Sequence, residues 1–173
     1  MPLDWGINVR KLSTFSFIIS VLFIFVGCNS AVKNSPEPIK ITKEDEKVIL
    51  EYLDTKTNDI SSPRYGKMYS SFVVLGTDSD KIYIWMLKEE YLKKNGQVAM
   101  ISGVSLPVAL YVKAGKDIIE IEDHKYPKDG NRYAESIKKL FPENVTKEIF
   151  ANNNQRVKQL EETIKNRVKE DKQ

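Results

Sequence analysis

Four stretches rich in β-branched and aromatic residues limit the fold of this 173-residue chain more than any other feature. Such residues favour strands, and short turn signals rather than helix-length connections separate the stretches. Asn95-Gly96 suits the type I′ turn of a two-residue hairpin. Strands this close in sequence pair most simply as a four-stranded antiparallel meander. The predicted strands are Met68–Leu75, Ile82–Leu92, Val98–Val112 and Ile118–Ile121.

The second predicted strand is apolar on both faces. Successive side chains of a strand point to opposite faces of the sheet. The two sets are Ile82, Ile84 and Met86 on one face and Tyr83, Trp85 and Leu87 on the other. A sheet with one face in water would alternate apolar and polar residues, so we expect both faces to be covered, or one to form a binding concavity. Pro107 cannot donate a ladder hydrogen bond and predicts a bulge, an edge or a break in the third strand.

Helical patterns flank the strands on both sides. Thr42 and Asp45 fit a capping box, and the apolar spacing after them predicts a helix over about Lys43–Asp54. The helical period returns after Gly130, and the last predicted helix covers about Gln155–Glu170. The order of helix, meander and helices is the α+β class, and we expect residues 41–173 to form one domain. The arrangement resembles cystatin-like and NTF2-like folds, an analogy that carries no activity.

The N-terminal region has the organisation of an export signal. Arg10 and Lys11 precede the apolar run Phe15–Val26, which is followed by Gly27 and Cys28. A secretory signal needs a basic segment, an apolar core of about 7–15 residues and small residues at the cleavage site. The run is shorter than the roughly 20 residues of a transmembrane helix. A permanent membrane span is therefore the weaker interpretation.

The residues before this signal are less typical of a basic segment. Asp4 is acidic and Trp5 is aromatic, whereas the start of a signal peptide is normally short and positively charged. Translation from Val9, on an alternative start codon, would leave a short basic segment. This start is a second hypothesis for the N-terminus.

The tetrapeptide Phe25-Val26-Gly27-Cys28 resembles the lipobox of bacterial lipoproteins. The resemblance implies a diacylglyceryl group on Cys28 and cleavage between Gly27 and Cys28, with residues 1–27 as the signal peptide. Residues 28–40 are mostly polar and predict a flexible tether. Membrane lipid, joined through Cys28, is then the first predicted partner. The expected location is the extracytoplasmic face of the cell membrane.

Composition excludes several kinds of site. Cys28 is the only cysteine and, once lipidated, leaves no thiol for a disulfide, a thiolate metal site or a nucleophile. His124 is the only histidine, which excludes a multi-histidine metal site, so we expect no metal and no cofactor. The net charge is +3, whereas a nucleic-acid-binding domain is normally far more basic. We therefore expect no nucleic-acid partner.

His124 is the one candidate for catalysis. It follows the acidic segment Glu120–Asp123, so a carboxylate could assist it in acid–base chemistry. With Ser102 or Ser105 it could imitate a catalytic triad. However, Asp123 and His124 are adjacent on a strand and point to opposite faces, and no nucleophile motif surrounds the serines. A surface histidine at a strand end is the favoured interpretation, with His124 kept as a weak catalytic candidate.

Three further stretches carry a family resemblance: Leu75–Asp78 with Lys81–Trp85, Ser102–Pro107, and Tyr126–Gly130 with Leu140–Pro142. Together they resemble small uncharacterised lipoproteins of low-GC Gram-positive bacteria. No activity is attached to that family, so no functional residue is carried over. We expect a membrane-anchored interaction or ligand-binding domain without catalysis, whose protein partner belongs to the membrane or envelope. The alternatives are a small hydrolase-like enzyme using His124 and its neighbouring carboxylates, and a structural envelope protein.

Overall fold

The computed structural model describes Met1 and residues 37–115, 117–151 and 154–171. The predicted signal peptide, the cleavage site after Gly27 and the lipid site at Cys28 lie outside the described residues and stay predictions. All the helices and strands below lie in one compact unit, Asn34–Gln173.

Four antiparallel strands form the sheet of this unit, hydrogen-bonded in the order β1-β2-β3-β4. The strands are β1 (Lys67–Thr77), β2 (Lys81–Lys94), β3 (Gln97–Ala114) and β4 (Ile119–Lys125). The predicted meander is therefore confirmed. Asn95 and Gly96, between β2 and β3, have φ angles of 52° and 74°. Positive φ at both central positions is what a type I′ turn requires.

The third strand shows one of the alternatives predicted at Pro107, and the fourth strand is longer than predicted. β3 runs without interruption through Pro107, which pairs with Trp85 of β2. Pro107 therefore lies on an edge of the sheet and does not break the strand. The segment of β3 that pairs with β4 begins only at Ala109. β4 extends to Lys125 instead of ending at Ile121, and it therefore includes His124.

The first helix, α1, covers Lys43–Thr55 and begins at the predicted capping box. The Thr42 hydroxyl accepts the Asp45 N–H, and the Asp45 carboxylate accepts the Thr42 N–H at 2.9 Å. The same carboxylate accepts the backbone N–H of Ile119 at 2.9 Å. The start of α1 is thereby tied to the start of β4, which fixes the spacing between these two elements.

Helices cover both faces of the sheet, as the apolar character of β2 predicts. On one face, Ile49 and Leu53 of α1 pack on alternate residues of β2 and β3. The other face is covered by α2 (Tyr133–Leu140), α3 (Glu143–Phe150) and α4 (Asn154–Glu170). Ile39 packs against the α1 core and donates its N–H to Asp78 at 3.1 Å, so folded structure reaches the end of the predicted tether.

Candidate functional site

His124 lies at the centre of a polar cluster. Its Nδ1 is 2.9 Å from the hydroxyl of Tyr52 on α1, and its Nε2 is 3.0 Å from the carboxylate of Asp59 in the loop after α1. The ring of Tyr126 stacks on the imidazole with a centroid distance of 6.2 Å and an interplanar angle of 17°. The side chain of His124 is only 10% exposed. His124 thus lies at a strand end, as predicted, but most of its side chain is covered by its neighbours and is not freely solvated.

The register of β4 explains this position. His124 pairs with Leu110 of β3, a residue of the core beneath α1. Residues directly opposite on neighbouring strands project from the same face. His124 therefore faces α1 and meets Tyr52, while the loop between α1 and β1 brings Asp59 to its other ring nitrogen.

Burial and nearby charge raise the pKa of both tyrosines in this cluster. Burial raises the pKa of Tyr52, and the nearby charges of Asp123 and Asp59 raise this pKa further. The Tyr52 hydroxyl therefore stays protonated at neutral pH and shares a hydrogen bond with Nδ1, while Nε2 faces the carboxylate of Asp59. Burial also raises the pKa of Tyr126, with the charge of Asp59 and a hydrogen bond to that residue as further causes.

The structure does not assemble the triad that His124 could form with a serine. Ser102 donates to the buried carboxylate of Glu90 at 3.2 Å, and Ser105 accepts the indole N–H of Trp85 at 2.8 Å. Asp123 accepts the backbone N–H of His124 at 2.8 Å instead of a ring N–H.

The carboxylate at the imidazole is that of Asp59, not of the adjacent acidic segment. Asp59 and Tyr52 precede His124 by 65 and 72 residues. No local sequence pattern indicates either partner.

Next to Tyr52, α1 and the start of β4 enclose an open groove of about 700 Å³, here called the α1–β4 groove. The apolar residues of its lining are Val48, Tyr52, Ile118, Ile119 and Ile121. Its charged lining residues are Glu51, Asp117, Glu120 and Lys56. Residues with a carboxylate thus outnumber lysines among the described residues that line the groove.

A second cavity of about 360 Å³, here called the β4–α2 cavity, opens between the end of β4 and α2. It is lined by His124, Lys125, Tyr126, Lys128, Ser136, Lys139 and Leu140. Tyr52 lines the groove and His124 lines this cavity, so their hydrogen bond joins the walls of the two. The cluster around His124 therefore shapes both clefts.

Within the ranges that the structure describes, no three His, Cys, Asp or Glu side chains are grouped so that they could hold a metal ion. In the same ranges, no helix combines the length and the apolar character needed to cross a bilayer.

No protein-family model matches this chain, and neither a curated protein nor a solved structure matches it significantly. The resemblance of three stretches to Gram-positive lipoproteins therefore stays a prediction. What the domain does has to be inferred from the chemistry of its own clefts.

Proposed function

We propose that this chain is a lipoprotein, held by lipid on Cys28 at the extracytoplasmic face of the cell membrane, with a non-catalytic ligand-binding domain. The basic segment, the apolar run and Gly27-Cys28 support the anchor. The α1–β4 groove is the observation that carries the binding function, since its volume of about 700 Å³ lies in the range of small-molecule sites.

The lining of the groove defines the class of ligand. Apolar side chains such as Val48 and Ile121 favour an apolar body, because burying it removes apolar surface from water. The excess of carboxylates, among them Glu51 and Asp117, favours a positive charge on the same molecule. The ligand is therefore an organic cation with an apolar body.

The geometry of His124 argues against the hydrolase alternative. With Asp59 at one ring nitrogen and Tyr52 at the other, the hydroxyl that His124 would activate as a general base is that of Tyr52. A nucleophilic tyrosine would need a lowered pKa, whereas burial raises the pKa of Tyr52. The cluster is better suited to holding α1, its following loop and β4 together.

Ester hydrolysis tests that alternative directly. Purified full-length wild type and His124→Ala are each mixed with p-nitrophenyl acetate, and release of nitrophenolate is followed at neutral pH. We expect both proteins to give the same slow rate as a matched lysine-containing protein without an active site. Turnover by the wild type that His124→Ala loses, while the variant stays folded, would favour the hydrolase.

Cell fractionation tests the anchor. Wild type should label with a palmitate analogue and sediment with membranes after cleavage, whereas Cys28→Ala should lose the label and keep its signal or leave the membrane fraction. Ser30→Ala, two residues away, is the matched control and should behave as wild type. A cleaved Cys28→Ala protein that still sediments with membranes would contradict the proposed lipid site.

Calorimetric titration of the full chain tests the groove. Octyltrimethylammonium, below its micelle concentration, should bind more tightly than neutral octyl glucoside. Glu51→Lys on α1 should weaken this binding about tenfold, because it places a like charge beside the ligand. Glu162→Lys, an exposed change on α4, is the control and should leave the affinity unchanged. If neither compound binds while anchoring holds, the structural envelope alternative is favoured.

A further inference from the structure

The β4–α2 cavity has chemistry opposite to that of the α1–β4 groove, and the proposed function does not use it. Its volume of about 360 Å³ adjoins a second space of about 280 Å³. The two spaces share Lys128, Ser136 and Lys139 in their linings, and the second adds Arg132 and Glu135. Together they are large enough to admit a small organic ligand.

Cationic groups dominate this combined lining. Four of its side chains are cationic and one is a carboxylate: Lys125, Lys128, Arg132 and Lys139 against Glu135. Glu135 pairs with Lys139 at 2.6 Å, but both side chains are exposed, so water and salt weaken the pair. Among the described residues, neither Lys128 nor Arg132 has a carboxylate oxygen within 4.0 Å. Positive charge in the lining is therefore largely uncompensated.

Local hydrogen bonds hold the rim of the cavity in place. The backbone N–H of Lys128 donates to the hydroxyl of Ser136 at 3.0 Å, and this hydroxyl donates to the carbonyl of Tyr133 at 2.8 Å. These bonds join the segment after β4 to the first turn of α2. The backbone of Lys128 is thus fixed before any ligand arrives, which lowers the entropy lost on binding.

One wall of the cavity is apolar. Tyr126 stacks against His124, which is held in turn by Asp59, and Leu140 of α2 lines the same cavity. An apolar wall beside a cationic rim suits a ligand that has both an apolar part and an anionic group.

We propose that the β4–α2 cavity binds a phosphate group that is attached to an apolar body. Lys128, Arg132 and Lys139 supply ammonium and guanidinium donors, and a phosphate offers several oxygens to such donors at once. The apolar part of the ligand lies along Tyr126 and Leu140. This site depends neither on the cationic ligand of the groove nor on the lipid at Cys28.

Titration of the purified full chain with three compounds tests the site. Short-chain dihexanoyl phosphatidylglycerol carries a net negative charge, dihexanoyl phosphatidylcholine is its zwitterionic match, and inorganic phosphate lacks the apolar body. We expect phosphatidylglycerol to bind more tightly than phosphatidylcholine and to lose affinity as salt is added. Tighter binding of the lipid than of phosphate would support a lipid headgroup as the ligand, whereas phosphate binding as tight as that of the lipid would overturn the apolar part of the proposal and identify a free phosphate.

Charge reversal decides whether binding occurs in this cavity. Lys128→Glu and Arg132→Glu should each weaken phosphatidylglycerol binding at least about tenfold, because an attraction becomes a repulsion. Lys158→Glu, an exposed change on α4, is the matched control and should retain the wild-type affinity. The mutated side chains are exposed, so thermal unfolding should show all three variants folded. Binding that survives both reversals, or no binding of any compound, would overturn the proposal.

Discussion

The α1–β4 groove and the β4–α2 cavity draw on the same strand, yet their linings carry opposite charge. The start of β4 gives the groove Ile119, Glu120 and Ile121, and its end gives the cavity His124 and Lys125. The strand is only seven residues long. A short edge strand therefore lines two clefts of opposite charge.

A bulge in β4 makes this division possible. Ile121 pairs with Val112 and Asp123 pairs with Tyr111, so Glu122 is the extra residue between them. Strict alternation would place Asp123 on the same face as Ile121. The extra residue instead brings His124 to that face, opposite Leu110. The bulge thus sets which titratable group lies between the two clefts.

Removing the residue between the clefts should have the largest effect. His124→Ala leaves the hydroxyl of Tyr52 and the carboxylate of Asp59 without their ring partner and removes the stack on Tyr126. We expect a loss of about 2–3 kcal/mol in the free energy of unfolding, because the His124 side chain is 10% exposed and bonded on both sides. Urea denaturation followed by circular dichroism measures the loss.

Glu122→Ala is the matched control for this experiment. Glu122 is exposed and pairs with Lys113 at the surface, so its removal should cost less than about 0.5 kcal/mol. If His124→Ala is no more destabilising than Glu122→Ala, the cluster does not hold the two clefts together.

Deleting one hydroxyl on each side of His124 should give smaller and unequal effects. Tyr52→Phe removes a 2.9 Å hydrogen bond on the groove side, and we expect it to cost about 1 kcal/mol. Tyr126→Phe removes only a 3.4 Å contact to the carbonyl of Asp59 and should cost less than about 0.5 kcal/mol. Equal losses in the two variants, measured by urea denaturation, would show that the two sides support His124 equally.

Local sequence patterns were sufficient for most of the fold. The positive φ values of Asn95 and Gly96 and the capping box at Thr42 each depend on residues within four positions of one another. The alternating apolar residues of β2 likewise predicted two covered faces. The sequence does not indicate the end of β4, because its last residues are polar and break the apolar pattern, although their backbone pairing with β3 continues.

The candidate site could be predicted only in part. His124 was recognisable because it is the only histidine, but its partners lie 65 and 72 residues away and are brought to it by the packing of α1 on the sheet. The bulge at Glu122 decides that His124, and not Asp123, faces α1, and the sequence carries no signal for this bulge. The two clefts depend on tertiary packing, which no single segment encodes.

The smallest expected difference between the groove side and the cavity side of His124 is in how the free energy of unfolding depends on alkaline pH. Burial raises the pKa of Tyr52 above its ordinary value of 10.0, so the folded chain keeps a proton there that the unfolded chain loses first. The stability that this hydroxyl contributes is therefore complete below about pH 10 and is lost as the pH rises through the pKa of the folded state. The difference in unfolding free energy between wild type and Tyr52→Phe should be constant from pH 7 to 9 and shrink above pH 10.

Other buried tyrosines do not obscure this measurement. Burial raises the pKa of Tyr83 and of Tyr91 to about 12, but both residues are present in wild type and variant, so their contributions cancel in the difference. The pKa of Tyr126 is raised in the same direction, but Tyr126 is 37% exposed and water reduces the effect. Tyr126→Phe should therefore show a weaker dependence of the same sign. A Tyr52→Phe difference that grows above pH 10 would mean that the Tyr52 hydroxyl ionises more readily in the folded chain, which contradicts a pKa raised by burial.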